Sequence, residues 1–223
     1  MRNPLVALQN CASSRGRNRR ELCGQFWNPL LTREVAMNRF HELARRMRPV
    51  HASWQEAVAD LPLQHVNHHE RHGVLPIAFS LMHLVNTEDF RSCEYLGDQP
   101  SLWERECWAD KVGNTVPAVF RGTPMAVAES LRFGDMDAWR AYQSAVFSQT
   151  DTLLLAIEDA RWDEIVMPEV PESQRGGFMH LLVGDGPVTI GDRLEVVLYH
   201  HGLRHLGELE HARALVGLHG VGG

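Results

Sequence analysis

The sequence lacks several features that mark particular classes of protein. Its four cysteines, Cys11, Cys23, Cys93 and Cys107, form no Cys-x-x-Cys pair and show no disulfide-scaffold spacing. Cysteines of this kind are typical of reduced thiols, so we expect a cytoplasmic protein. No apolar run in the sequence approaches the about 18 residues that a membrane span needs. The N-terminus also lacks the pattern of a signal peptide, and we expect no membrane partner.

Net positive charge is also absent, since the 223 residues carry a formal charge of −6. This balance argues against a general nucleic-acid partner. The exception is the segment 1–36, which contains six arginines and two acidic residues, Glu21 and Glu34, and so has a formal charge of +4. The rest of the chain therefore has a formal charge of −10. Because this segment has no periodic apolar face, we predict a disordered, basic N-terminal extension.

Several catalytic motifs are missing as well. The sequence contains no Gly-x-Ser-x-Gly turn of the serine hydrolases and no Gly-x4-Gly-Lys loop that would cradle phosphates. Glu208 and His211 form one Glu-x-x-His motif, but the di-iron bundles need a second one and two further carboxylates. The sequence therefore gives little support to serine hydrolases, nucleoside triphosphatases or ferritin-like proteins.

What the sequence has is the three- and four-residue spacing of amphipathic helices. It predicts four long helices. The first covers 37–61, and the second begins near Pro76, is apolar on nearly every face over 75–90 and is ended by Gly97 and Pro100. The third runs from the N-cap Asp135 to about 157, and the fourth from a capping box at Thr189 and Asp192 to Val216. The connections are irregular, with a short helix expected near 102–109 and some extended structure within 163–188. We predict an all-α, up-down four-helix bundle over 37–217, followed by a flexible tail at 218–223.

Histidine is abundant, at thirteen residues. The apolar face of the fourth helix carries His201 and His205 where leucine would be expected, and an i, i+4 pair places two imidazoles on one side of a helix. His83 lies in the most apolar helix. Three imidazoles with an open position are typical of catalytic zinc sites. The alternative is that these are core histidines bonded to backbone or side-chain oxygens, and the polar stretch 65–72, with four histidines, could also attract metal.

The run 199–209, Tyr-His-His-Gly-Leu-Arg-His-Leu-Gly-Glu-Leu, resembles the C-terminal signature His-x3-His-x-Gly-Gln/Glu-Ile/Leu of the DinB-like (DinB/YfiT) metalloenzyme superfamily. The stretch 77–90, with His83 before Glu88, resembles the second helix of that family, which provides the first metal ligand. Ala59–Pro62 resembles its usual exit from the first helix. The resemblance covers about 37–217, while the stretch 65–72 and the N-terminal segment have no counterpart in it.

The resemblance implies a bundle that binds one divalent ion, zinc, nickel or similar, through His83, His201 and His205. It also implies that Gly207 allows close helix packing and that Glu208 orients a ligand, although Glu208 could equally be a solvated carboxylate. Relatives include thiol-dependent S-transferases, so a small-molecule substrate, a low-molecular-weight thiol and a homodimer are expected. Arg91 and Arg204 could hold a thiol's carboxylates or be surface charges. The alternatives are a metal-dependent hydrolase and a non-catalytic bundle for partner binding or metal storage.

Overall fold

The structure is a computed structural model, and it describes residues 38–220 except 115 and 117. The predicted basic extension 1–36 and the end of the predicted tail lie outside the described residues. The described part is mostly helical, which confirms the predicted class.

Four long helical segments form the frame of the fold. They are α1 (Arg39–Ala59), α3 (Ile77–Leu96), α7 (Met136–Ala156) and a run that consists of α9 (Ile190–Leu194), a π-helical stretch (Glu195–His200) and α10 (His201–Leu215). The shorter helices are α2 (Leu63–Val66), α4 (Leu102–Arg105), α5 (Trp108–Val112), α6 (Met125–Ser130) and α8 (Phe178–Val183). Two 3₁₀ turns, Asp159–Asp163 and Glu172–Gln174, lie between α7 and α8.

The helix starts follow from local side-chain chemistry. The Asp135 carboxylate accepts hydrogen bonds from the backbone N–H groups of Asp137 and Ala138, which fixes the start of α7. Thr189 and Asp192 form the reciprocal capping box at the start of α9. Both predicted starts are confirmed.

The four long segments contact one another in a closed cycle. α1 packs on α7, α7 on α3, α3 on α10, and α10 on α1. The space between them is filled by a core whose largest members include Trp54, Leu81, Trp139 and Tyr142, all fully buried. Burial of these side chains is the main favourable contribution to the stability of the fold.

A small two-stranded sheet connects α7 to the last helical run. Strands β1 (Ile165–Met167) and β2 (Val188–Thr189) pair antiparallel, and the residues between them include α8. The excursion is the segment 165–189, which contains both strands and α8. A separate apolar cluster packs it against the π-helical stretch, and its members are Val170, Met179, Val188 and Val196. The predicted extended structure within 163–188 is confirmed, and the excursion forms one wall of the cavity described below.

None of the helices within the described ranges is both long enough and apolar enough to cross a membrane.

Candidate metal centre

The three histidines suggested by the sequence come together between α3 and α10. The Nε2 atom of His201 lies 3.2 Å from Nε2 of His83 and 3.0 Å from Nε2 of His205. One ring nitrogen from each histidine falls within 4.8 Å of the other two. Nitrogen ligands at about 2.0–2.1 Å from a tetrahedral zinc ion would be about 3.3 Å apart. The observed spacing therefore fits a single transition-metal ion.

Glu208 fixes the tautomer of one of these histidines. Its Oε2 atom lies 2.6 Å from Nδ1 of His205, and because an ionised carboxylate only accepts, the imidazole proton must sit on Nδ1. A neutral imidazole carries one proton, so Nε2 of His205 then presents a lone pair to the other two rings. This is the tautomer that a metal ligand requires, and a carboxylate partner of this kind also raises the basicity of the ligand.

Hydrogen bonding among the three rings cannot replace an ion. Nε2 of His201 is within hydrogen-bond distance of two other Nε2 atoms, but a ring nitrogen offers either one proton or one lone pair. The three Nε2 atoms are therefore under-satisfied as a hydrogen-bonded group, and one cation that accepts a lone pair from each of them would resolve these contacts.

The position of α10 against α1 depends on Gly202. The Trp54 indole N–H donates to the Gly202 carbonyl oxygen at 3.1 Å, and a Cβ at Gly202 would lie 3.3 Å from the Val50 side chain. Gly202 is buried, and in the sequence it lies between His201 and His205. Gly207 is exposed, and a Cβ there would meet nothing within 4 Å. The expectation that Gly207 allows close packing is wrong, because Gly202 is the residue that faces α1.

Burial keeps the three imidazoles neutral. Desolvation lowers the pKa of His83 from 6.5 to about 4, assisted by the nearby charge of His205. Desolvation likewise lowers the pKa of His201 from 6.5 to about 3, with further contributions from His205 and His83. The pKa of His205 is lowered by burial, while Glu208 acts in the opposite direction. Neutral rings are the form that binds transition metals.

These pKa shifts predict that the metal-free protein loses stability on mild acidification. The unfolded chain takes up protons on these histidines near pH 6.5, whereas folded His83 and His201 resist protonation until about pH 4 and about pH 3. The free energy of unfolding should therefore fall as the pH drops from 6.5 to 5, by up to about 1.4 kcal/mol per pH unit for each histidine. Urea unfolding in the presence of a chelator measures this slope.

The matched variant for that measurement is His201→Leu, which removes one of the titrating rings. We expect a shallower pH dependence than in the unmodified chain over the same range, because fewer protons are taken up on unfolding. Identical slopes for the two proteins would contradict the prediction.

A cavity of about 920 Å³ opens beside the three histidines. Its walls come from α3, the segment 120–123, the segment 173–179 and the last helical run. Phe79 stacks on His83 at a ring separation of 5.7 Å and lines this cavity. Its size lies at the upper end of the range for small-molecule sites.

Sequence reasoning missed several residues of this cavity. Arg121, Phe120 and Phe178 come from segments without periodicity, and Arg193 lies two turns before His201 on a helix read only for its apolar face. Arg91 and Arg204, left open between anion binding and surface charge, both line the cavity. No local pattern marks the first four of these residues, because their place in the cavity depends on how the loops and the last helical run pack together.

The other histidine-rich stretch does not assemble a comparable group. His72 contacts Glu129 at 3.0 Å, and ring nitrogens of His65 and His69 are buried without a partner. Within the described ranges, the three histidines of α3 and α10 are the only His, Cys, Asp and Glu group with metal-binding spacing. In the Glu-x-x-His motif, His211 is exposed, and Glu208 forms its hydrogen bond with Nδ1 of His205 instead.

A buried polar network holds the segment 118–123 against α3. The side chain of Asn86 accepts from the Val119 backbone N–H at 3.2 Å and donates to the Tyr142 hydroxyl at 2.9 Å. That hydroxyl donates to Asp89 at 2.9 Å. Asp89 is fully buried, and desolvation raises its pKa. Since Phe120 follows Val119, this network fixes the cavity wall.

Comparison with known proteins gives a fold likeness and no family. No family model matches the chain, and no curated protein matches it by sequence. Among solved structures, it is similar to a conserved protein from Enterococcus faecalis, with a TM-score of 0.64 and 14% sequence identity over 82% of this chain and 99% of that one. At this identity the likeness concerns the fold alone.

Proposed function

We propose that this protein is a divalent-metal enzyme that holds its ion on His83, His201 and His205 and activates a bound thiol or water. We further propose that the four long segments are an up-down four-helix bundle of the DinB-like type, with zinc, nickel or a similar ion. The observation that carries the proposal is the convergence of three Nε2 atoms, with His205 fixed in the metal-binding tautomer by Glu208.

The cavity favours a catalytic centre over a purely structural one. A structural zinc site is closed by four protein ligands, whereas a catalytic site keeps a position open to solvent or substrate. Here three histidines line an open cavity of about 920 Å³. When bound, a divalent ion acts as a Lewis acid that lowers the pKa of a coordinated water or thiol.

The protein's own side chains have separate roles in this proposal. The three rings supply neutral ligands, and Glu208 holds the proton on His205 Nδ1 so that its Nε2 stays available. Phe79 and other apolar side chains of the wall keep bulk water from one side of the site, which strengthens electrostatic interactions there. Thiol-dependent S-transfer is the reaction that we propose, with metal-dependent hydrolysis as the alternative.

The test is to load the full chain with Co²⁺ and follow its absorption spectrum while adding a small thiol such as 2-mercaptoethanol. A stoichiometric cobalt complex that gains a sulfur-to-cobalt charge-transfer band would support thiol activation. A stoichiometric complex without that band would favour hydrolysis, to be assayed with activated esters. Failure of the chain to bind Co²⁺, Zn²⁺ or Ni²⁺ would overturn the proposal.

Glu208 offers a finer prediction. Glu208→Gln removes the acceptor charge next to His205 Nδ1 and allows the other tautomer, so we expect metal affinity to fall about 10- to 100-fold. Competition with a chromophoric chelator measures this change. Glu210→Gln is the matched control, because Glu210 lies on the same helix and is outside the cavity lining. Equal affinities of the two variants would contradict an orienting role for Glu208.

A further inference from the structure

The cavity beside the histidines is positively charged in a protein that is acidic overall. Four arginines, Arg91, Arg121, Arg193 and Arg204, line it together with one carboxylate, Glu208, whereas the whole chain has a formal charge of −6. A recess lined by one sign of charge focuses the field and concentrates ligands of the opposite sign. The lining therefore selects for anions.

The arginines differ in how far the protein itself neutralises them. Arg91 pairs with Glu94, and Arg204 pairs with Glu208 at 3.3 Å. Arg121 and Arg193 form no ion pair with any residue that the structure describes. Such guanidinium groups keep their charge and most of their donors for a ligand.

Arg193 is the more constrained of these two. It is half-buried, its Nε donates to the Tyr95 hydroxyl at 3.2 Å, and its guanidinium lies 5.9 Å from the centre of the Tyr95 ring. Tyr95 orients the group but provides no negative charge. A half-buried cation held in this way is suited to bind an oxyanion with little loss of side-chain entropy.

The helices place Arg91 and Arg193 on the same side of the histidines in the shared cavity. His83 contacts His201, and Tyr95, twelve residues further along α3, contacts Arg193, eight residues before His201. The two helices therefore run antiparallel here. Arg91 lies eight residues beyond His83, and Arg193 lies eight residues before His201, so both arginines are about two helical turns from the histidines and on the same side of them.

We propose that the cavity binds an elongated organic carboxylate, with its anionic end at Arg193 and Arg91 and its reacting end at the histidines. The planar fork of a guanidinium matches the two oxygens of a carboxylate. Val197 lies between Arg193 and His201 on the last helical run, and Phe120 packs against Phe90, the neighbour of Arg91. These two apolar side chains of the wall fit an apolar middle. The inference deepens the proposed function and rests on it only for the position of the reacting end.

Isothermal titration of the full chain as purified, with hexanoate and with the neutral isostere hexanamide, tests this inference. We expect hexanoate to bind at least about tenfold more tightly than hexanamide, because charge-assisted hydrogen bonds contribute about 1.5–3 kcal/mol. Acetate, which has the charge without the chain, should bind more weakly than hexanoate.

Variants locate the anionic end. Arg193→Gln should weaken hexanoate binding about 10- to 100-fold, and Arg193→Lys should recover part of the affinity. The matched control is Arg46→Gln, since Arg46 is also half-buried, lies 4.9 Å from the Tyr199 ring centre and is outside the cavity lining. It should bind hexanoate as the unmodified chain does.

Equal binding of hexanoate and hexanamide, or unchanged hexanoate binding in a folded Arg193→Gln, would overturn the inference. His201→Ala separates it from the proposed function, because this variant should lose metal and still discriminate hexanoate from hexanamide. A chain that binds metal but does not prefer the carboxylate would keep the proposed function and refute the carboxylate site. A chain that prefers the carboxylate without binding metal would keep the carboxylate site and refute the proposed function.

Discussion

His201→Ala should reduce bound metal from about one equivalent to a trace and weaken affinity by more than about 100-fold. His201 is the central member of the group, because its Nε2 lies within 3.2 Å of both other Nε2 atoms. Its loss leaves His83 and His205 as two ligands from different helices. Two ligands in a pre-formed cavity bind a divalent ion far less tightly than three, and removing even an outer partner costs about 10- to 100-fold.

Elemental mass spectrometry of dialysed protein measures this effect. His200→Ala is a close control, since His200 is the adjacent residue, is similarly half-buried and does not belong to the three-histidine group. It should keep the full metal content. His83→Ala and His205→Ala should behave like His201→Ala. Retention of one equivalent in any of these three would show that the ion is bound elsewhere, for example in the stretch 65–72.

Asp89→Ala should destabilise the fold by about 3–5 kcal/mol. The carboxylate of Asp89 accepts from the backbone N–H groups of Leu102 and Trp103 and from the Tyr142 hydroxyl, each at 2.9 Å. The Gln149 side chain donates to it at 3.3 Å. Alanine would leave several of these donors buried and unpaired, at about 1–3 kcal/mol each. Relief of the cost of burying the charge offsets part of this loss.

Urea unfolding at neutral pH measures the change in the free energy of unfolding. The exposed Asp98 supplies a control, and Asp98→Ala should stay within about 0.5 kcal/mol of the unmodified chain. Asp89→Asn should have an intermediate effect, since it keeps one acceptor oxygen but turns an amide donor toward other donors. A loss below about 1 kcal/mol for Asp89→Ala would show that water replaces the carboxylate and that the network is not structurally required.

The larger part of the secondary structure could be predicted from the sequence. Apolar residues at three- and four-residue spacing predicted the four long helical segments, and side chains at Asp135, Thr189 and Asp192 predicted two of their starts. These features are local, because a cap or an amphipathic face depends only on residues within a turn or two. The same locality explains why His201 and His205 could be assigned to one face, since i and i+4 always lie one above the other in a helix.

The end of the second helix is also marked locally. Gly97 and Pro100 are predicted to end it, and α3 ends at Leu96 with Gly97 as its C-cap. By contrast, the π-helical stretch Glu195–His200, directly before His201, had no signal in the sequence. Such stretches are frequent at functional sites.

The sequence by itself determined that this protein is mostly helical and that two histidines share one helix face. Only the tertiary structure decided that His83 meets them, that Gly202 and not Gly207 packs against α1, and that Arg193 faces the same cavity as Arg91. Each of these depends on the rotation and axial position of one helix relative to another. Those quantities are set by the packing of the whole core, because a close-packed interior leaves each helix few positions free of voids and clashes.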